Sequence, residues 1–321
     1  MRALTQTFTF SCFIISIRIS IRAFLLLPLI AVLAASMPAV ECWTGEQLDE
    51  IRSIQGHVVA KDGLFSVTTS HYVVRSEIDA RFTAELARYL ELFDDQATSL
   101  LMLPAVAAPG MAVVTVFASQ TDYQKSLGKA TRSRGQFDWL YPDETSPARY
   151  TIRTYAANLR ERDFRNFFRP IINHETTHYL LQLRAGRRHI PNLVHEGIAT
   201  YVQAWDFFKP TSWNLANHCC EFAPNLRHAV DAQEVPSMSW LSQVSTWDVD
   251  DFGPQTNTRY ACAESFIAYL LGDDSRKSFF KRLVTAATGG ESLRGLFANG
   301  AGSVIEEDWR RCLFLSSEHR G

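Results

Sequence analysis

Residues 170–183 read Pro170-Ile171-Ile172-Asn173-His174-Glu175-Thr176-Thr177-His178-Tyr179-Leu180-Leu181-Gln182-Leu183, and Val194-His195-Glu196-Gly197-Ile198-Ala199-Thr200-Tyr201 follows shortly after. Pro170 stands where a helix can begin, since a first turn leaves its own N–H groups unbonded anyway. Gly186 marks where that helix ends. Ile171, Ile172, Leu180, Leu181 and Leu183 place apolar residues on nearly every side, the mark of a buried helix. His174 and His178 are four residues apart and share one face, one turn apart. Two neutral imidazoles so placed can grip one Zn²⁺, and Glu175 beside them can take a proton from a zinc-activated water. The plainer alternative is a helix with two satisfied surface histidines. Against it, unpaired imidazoles on a buried helix are costly. Glu196 also follows 18 positions after His178, close enough for a short loop and a second helix to bring it back. Gly197 and Ala199 are small enough to let that second helix approach closely. His174, His178 and Glu196 then make a three-ligand set with an open fourth position, the pattern of a catalytic rather than a structural site.

Upstream of this stretch the pattern is mixed. Residues 57–76 have strand character, broken by a turn at Lys61-Asp62-Gly63. From Ile78 to about Leu103 apolar residues recur at helical steps: Leu86, Tyr89, Leu90, Phe93 and Leu100. Met111 to Phe117 reads as a buried strand rich in β-branched valines, Gln136 to Tyr141 as another, and Tyr150 to Tyr155 as an alternating one. Because Tyr150–Tyr155 comes just before the histidine helix, it is the expected cleft strand, whose edge an extended peptide would join. Downstream, a helix runs from Pro191-Asn192 to about Trp205, and 206–256 reads as a long loop with short helices. Further helices are expected over 257–271, 275–285 and 306–315. The expected class is α+β, a small N-terminal mixed sheet with helices, then the active-site helix and a mostly helical C-terminal half. The division is 1–40, 41–156 as an α/β subdomain, and 157–321 as the metal-binding subdomain.

Residues 1–40 are set apart. Arg18 and Arg22 precede the apolar run Ala23–Ala35, and small residues follow to Ala39. That is the build of a secretory signal, or of an uncleaved N-terminal anchor, since Phe8–Ile17 is apolar too. The protein is therefore expected outside the cytoplasm, secreted or periplasmic, touching a membrane only through that segment. With 32 Lys+Arg against 34 Asp+Glu, no charge surplus suits a nucleic-acid partner. Of six cysteines, Cys12 belongs to the N-terminal segment, leaving Cys42, Cys219, Cys220, Cys262 and Cys312. Export permits disulfides, and Cys262 and Cys312 are candidate partners for the adjacent Cys219-Cys220 pair.

The two quoted motifs, with Arg259-Tyr260-Ala261-Cys262-Ala263-Glu264-Ser265-Phe266, resemble the gluzincin metallopeptidases, which include thermolysin and the aminopeptidase N group. The likeness is nearest to the peptidase-MA-like domains of bacterial exported proteins, and a weaker one extends from about His57 to Leu313. It implies a zincin-like fold with His174, His178 and Glu196 as zinc ligands. It makes Glu175 the general base and then the acid toward the leaving amine. Tyr260, 64 residues after Glu196, matches the spacing of the catalytic tyrosine in the aminopeptidase N group and would donate to the oxyanion. The chain lacks the Gly-x-Met-Glu-Asn stretch by which that group captures a free N-terminus, so an endopeptidase with a peptide or protein substrate is the expectation. His195 is expected beside the ligands rather than among them, and His189 and His218 as structural. The loop over 206–256 reads as a lid or cover, or Trp213, Trp240 and Trp247 serve ordinary packing there. Two rival functions remain: a zinc hydrolase of a non-peptide cell-wall amide, and a non-catalytic exported factor that keeps the zinc helices as scaffold.

Overall fold

Alternating apolar residues before position 156 build six strands of one mixed sheet. They are β1 (Val59–Lys61), β2 (Leu64–Thr68), β3 (Tyr72–Ser76), β4 (Ala112–Phe117), β5 (Gly135–Leu140) and β6 (Arg149–Tyr155). The structure is a computed structural model that describes residues 43–106, 110–162, 168–203, 205, 222–244, 247, 254–298 and 300–318. The expected signal or anchor, Cys12, Cys42, Trp213, His218, Cys219 and Cys220 thus lie outside the described residues. No helix among the described residues is long and apolar enough to cross a membrane.

Spatial order in the sheet is β1-β2-β3-β4-β6-β5. The outer pairs β1–β2, β2–β3 and β5–β6 are antiparallel, while β3–β4 and β4–β6 are parallel. Parallel neighbours need a crossover. Helix α2 (Ala80–Leu100) supplies it between β3 and β4, opened by Asp79, whose carboxylate accepts from the Phe82 amide at 2.8 Å. The topology corrects one expectation. The Tyr150–Tyr155 strand, β6, is interior, with β4 on one side and β5 on the other, so β5 holds the edge. The hairpin that joins β5 to β6 folds β5 to the outside, and alternation in β6 alone does not reveal that.

Two further helices, α1 (Gly45–Gln55) and α3 (Gln120–Leu127), have no counterpart in the sequence reading. Each buries a single residue, Ile51 and Tyr123 respectively, so neither shows apolar periodicity. Their caps fix them instead. Thr44 and Gln47 form a reciprocal capping box, and Ser119 accepts from the Asp122 amide.

After Tyr155 the described regular elements are helical: α4 (Arg169–Ala185), α5 (Asn192–Gln203), α6 (Ala223–Asp231), α7 (Met238–Leu241), α8 (Pro254–Leu271), α9 (Asp274–Gly289), α10 (Arg294–Ala298) and α11 (Ala301–Glu318). The architecture is α+β. Helices α8 and α11 each start a few residues ahead of the expected positions, at Pro254 and Ala301. Helix α4 packs on the sheet through tyrosines. Tyr179 meets Tyr72 and Tyr150 edge-on at 5.7 and 5.3 Å, and its hydroxyl donates to the Gly110 carbonyl at 2.9 Å. Helix α5 lies between α4 and α8. At the α5–α8 contact a Cβ on Gly197 would stand 3.1 Å from the Ala263 Cβ, so glycine sets how near the two helices come. Helix α11 closes on α8, with Trp309 Nε1 donating to Ser265 Oγ at 3.2 Å. Cys262 on α8 is buried and Cys312 on α11 exposed, and both are free thiols, so neither takes up the disulfide for which it was a candidate. Trp240 is exposed with Arg259 over its ring, whereas Trp247 is buried edge-on to Tyr260.

Candidate metal centre

Helix α4 begins with Pro170 in its first turn and stops at Gly186, whose φ of 62° a side chain would strain. Gln182 ties down the following turn by donating to the carbonyls of Gly186 and Arg188 at 2.7 and 3.0 Å. The chain then re-enters as α5, running back along α4. Asn173, near the start of α4, donates to the carbonyls of Val202, in the last turn of α5, and Trp205, just beyond it. Its Oδ1 accepts from the Tyr89 hydroxyl of α2 at 2.6 Å. These bonds lay the Glu196 face of α5 over the histidine face of α4.

His174 Nε2 lies 3.4 Å and His178 Nε2 3.5 Å from the same atom, Glu196 Oε2. Two ligands held about 2.0–2.1 Å from a tetrahedral zinc stand roughly 3.3–3.4 Å apart, so these edges fit that ion. Glu196 Oε2 is buried and has no hydrogen-bond partner among the described residues. An orphaned carboxylate oxygen facing two imidazole nitrogens is a costly arrangement unless a cation sits among them. Among the described residues His174, His178 and Glu196 are the cluster whose donor atoms could share one ion. The donor set of two nitrogens and one carboxylate oxygen is one that zinc accepts.

Around the ligands, His174 Nδ1 is 3.1 Å from Gln203 Oε1. The His195 ring lies 4.1 Å from the His178 ring, centroid to centroid, and falls outside the cluster whose donor atoms could share one ion. It is therefore a neighbour of the ligands and not one of them. His189 is exposed on the α4–α5 turn.

Electrostatics follow from this crowding. Burial alone would raise the Glu196 carboxyl, but the His178 and His174 rings overcome it and hold the group at about 2. Burial, with His195 and His174 as neighbours, drives His178 well below the ordinary histidine value. His174 goes the other way. Burial lowers it, but Glu196 and Glu175 outweigh that and raise it. Glu175 is pushed up to about 7, chiefly by burial.

Strand β5 holds Glu175. A Cβ on Gly135 would fall 2.6 Å from Glu175 Oε1, so the carboxylate rests where a side chain would otherwise be. Phe137 stacks on the His178 ring at 6.3 Å, and Trp139 meets His195 edge-on. On the other side Tyr260 lies near Glu196, and burial with that carboxylate's negative charge raises its pKa far above the usual phenol value. The structure thus brings His174, Glu175, His178, Glu196 and Tyr260 into one cluster. Sequence reasoning missed Gly135, Phe137, Asn173 and Gln203. Of these, Asn173 carried a signal: a polar residue on a helix apolar all round must find buried partners.

Compared with known proteins, the chain matches no family model and no curated protein.

Proposed function

We propose that the chain is a zinc-dependent endopeptidase of the gluzincin kind, with a zincin-like fold, acting outside the cytoplasm on peptide or protein substrates. The observation that carries the reading is the pair of 3.4 and 3.5 Å edges from two imidazoles to one orphaned carboxylate oxygen, with Glu175 beside them. His174, His178 and Glu196 would hold the ion. Zinc bound there would lower the pKa of a water in its open position toward about 7 and polarise the scissile carbonyl.

The chain's own groups do the rest. Glu175, set near neutrality by burial, takes the proton from the attacking water while the water oxygen adds to the carbonyl carbon. As the C–N bond breaks, the same carboxyl returns the proton to the departing amine. Tyr260, already in the cluster, is the donor toward the developing oxyanion. The substrate strand is reassigned from β6 to β5. An extended peptide would add to the open edge of β5, past Phe137.

The test joins metal analysis to turnover. The purified protein should hold one zinc that His178→Ala loses. Glu175→Gln should keep the zinc yet abolish cleavage of casein. No zinc at stoichiometric level in the unmodified protein would sink the proposal. Cleavage of peptidoglycan fragments in place of casein would move it to a cell-wall amide. Tyr260→Phe should lower kcat about 10²–10³-fold with metal content unchanged.

A further inference from the structure

We infer that Gln203 is the positioning residue that makes His174 a metal ligand, by fixing which ring nitrogen carries the proton; the inference rests on the metal-centre reading above. An imidazole can present Nε2 to a metal only when its proton sits on Nδ1. That proton then needs an acceptor, because the ring is largely buried beside Glu196. Gln203 Oε1, an atom that can only accept, lies 3.1 Å from His174 Nδ1. The other end of the amide can only donate. With the amide turned over, its N–H would face Nδ1, the ring proton would pass to Nε2, and Nε2 could no longer bind a metal. The orientation of one side-chain amide is thereby tied to metal competence.

The backbone on either side of Gln203 is held in place, which keeps its side chain within reach of His174. Asn173 donates to the carbonyls of Val202 and Trp205, at 3.3 Å each, and so brackets Gln203 on both sides in sequence. Asn173 is itself pinned by Tyr89. His178 has no such arrangement, since its Nδ1 is buried with no hydrogen-bond partner among the described residues. His174 is therefore the ligand whose tautomer the chain sets. A neutral amide also draws the ring proton less than a carboxylate would, which leaves the imidazole a weaker donor to the metal. The site is thus short of its tightest possible zinc binding, and a carboxylate at 203 should improve it.

The experiment is zinc affinity by chelator competition on the full chain, for the unmodified protein, Gln203→Met and Gln203→Glu. Methionine keeps the bulk and removes the acceptor, so affinity should fall about 10–100-fold. Glutamate supplies only acceptors and should restore or exceed the original affinity. A merely structural role would move the thermal midpoint of the zinc-free protein, which should stay unchanged. The zinc-loaded unmodified and Glu proteins should show a protected Nδ1–H proton resonance that the Met protein lacks. Should Gln203→Met fold poorly, Gln203→Asn, too short to reach Nδ1, makes the same comparison. Affinity within about threefold of the original in the acceptor-less variant overturns the inference. Absence of zinc from the unmodified protein overturns the metal-centre reading instead, so the two failures are distinguishable.

Discussion

Gly135 contributes no side chain, and that bareness decides where the Glu175 carboxylate rests. A methyl group there would fall 2.6 Å from Oε1 and 2.7 Å from Cγ, so the glutamate would have to turn away from the strand. The backbone at Gly135 does not need glycine for its own conformation, since it is not among the positive-φ positions. Gly135→Ala should therefore leave folding and zinc content nearly intact and displace the base. A displacement on the order of 1 Å costs about 10²-fold in rate, which kcat measured beside metal content would reveal. Nothing around Gly135 in the sequence announces this. The motif on α4 names the base, but the neighbour that shapes its seat comes from a strand 40 residues earlier, 175 less 135.

At the scale of elements, strand β3 and helix α2 are clamped by an ion pair just before the strand begins. The His71 amide and Nδ1 bond the two oxygens of Glu91 at 2.9 and 2.7 Å. Burial works against the charged ring, but the bond to Glu91 and its charge prevail and raise the His71 pKa above 6.5. Burial likewise opposes the Glu91 carboxylate, yet its bonds to Thr69 and His71 lower its pKa below 4.5. A raised histidine stabilises fully below 6.5 and ceases to as pH climbs through its folded value. A lowered carboxyl stabilises above 4.5 and ceases to as pH falls through its folded value. The clamp is thus strongest between those values. Urea midpoints of the unmodified protein and Glu91→Gln should differ most near about pH 5.5, and the difference should shrink as pH climbs through the raised His71 value. The elements themselves were unevenly legible. Val113, Val114 and Val116 announce β4, and the ligand helices announce themselves by their motifs. The edge position of β5 is not in its residues, because strand order follows from how crossovers and hairpins close. Gln203 was hidden for a related reason: one polar residue at a helix end says nothing until α5 is laid back on α4.

For the whole molecule, the ion would act as a clasp between helices. His174 and His178 stand on α4 and Glu196 on α5, and α8 reaches the same carboxylate through Tyr260. A ligand that binds only the folded state stabilises it by about 2.7 kcal/mol at a hundred times its dissociation constant. Zinc should therefore raise the thermal midpoint of the chelated protein, and His178→Ala should abolish the rise. An unchanged midpoint in the unmodified protein across a zinc titration would argue against a shared ion.

The two free thiols differ in a way that can be used as a clock. Cys312 is exposed, whereas Cys262 is wholly buried on α8, two residues from Tyr260, with burial pushing its thiol up to about 12. An alkylating reagent reaches Cys312 in the native state but Cys262, which senses Arg310 of α11, only when the helices packed on α8 lift away, and even then meets a thiol with little thiolate until it is free of the core. The rate at which Cys262 is modified therefore counts the excursions in which α8, which carries Tyr260, is freed from the helices packed on it. Measured with and without zinc, that rate would separate an ion that holds the helices shut from one that merely sits between them.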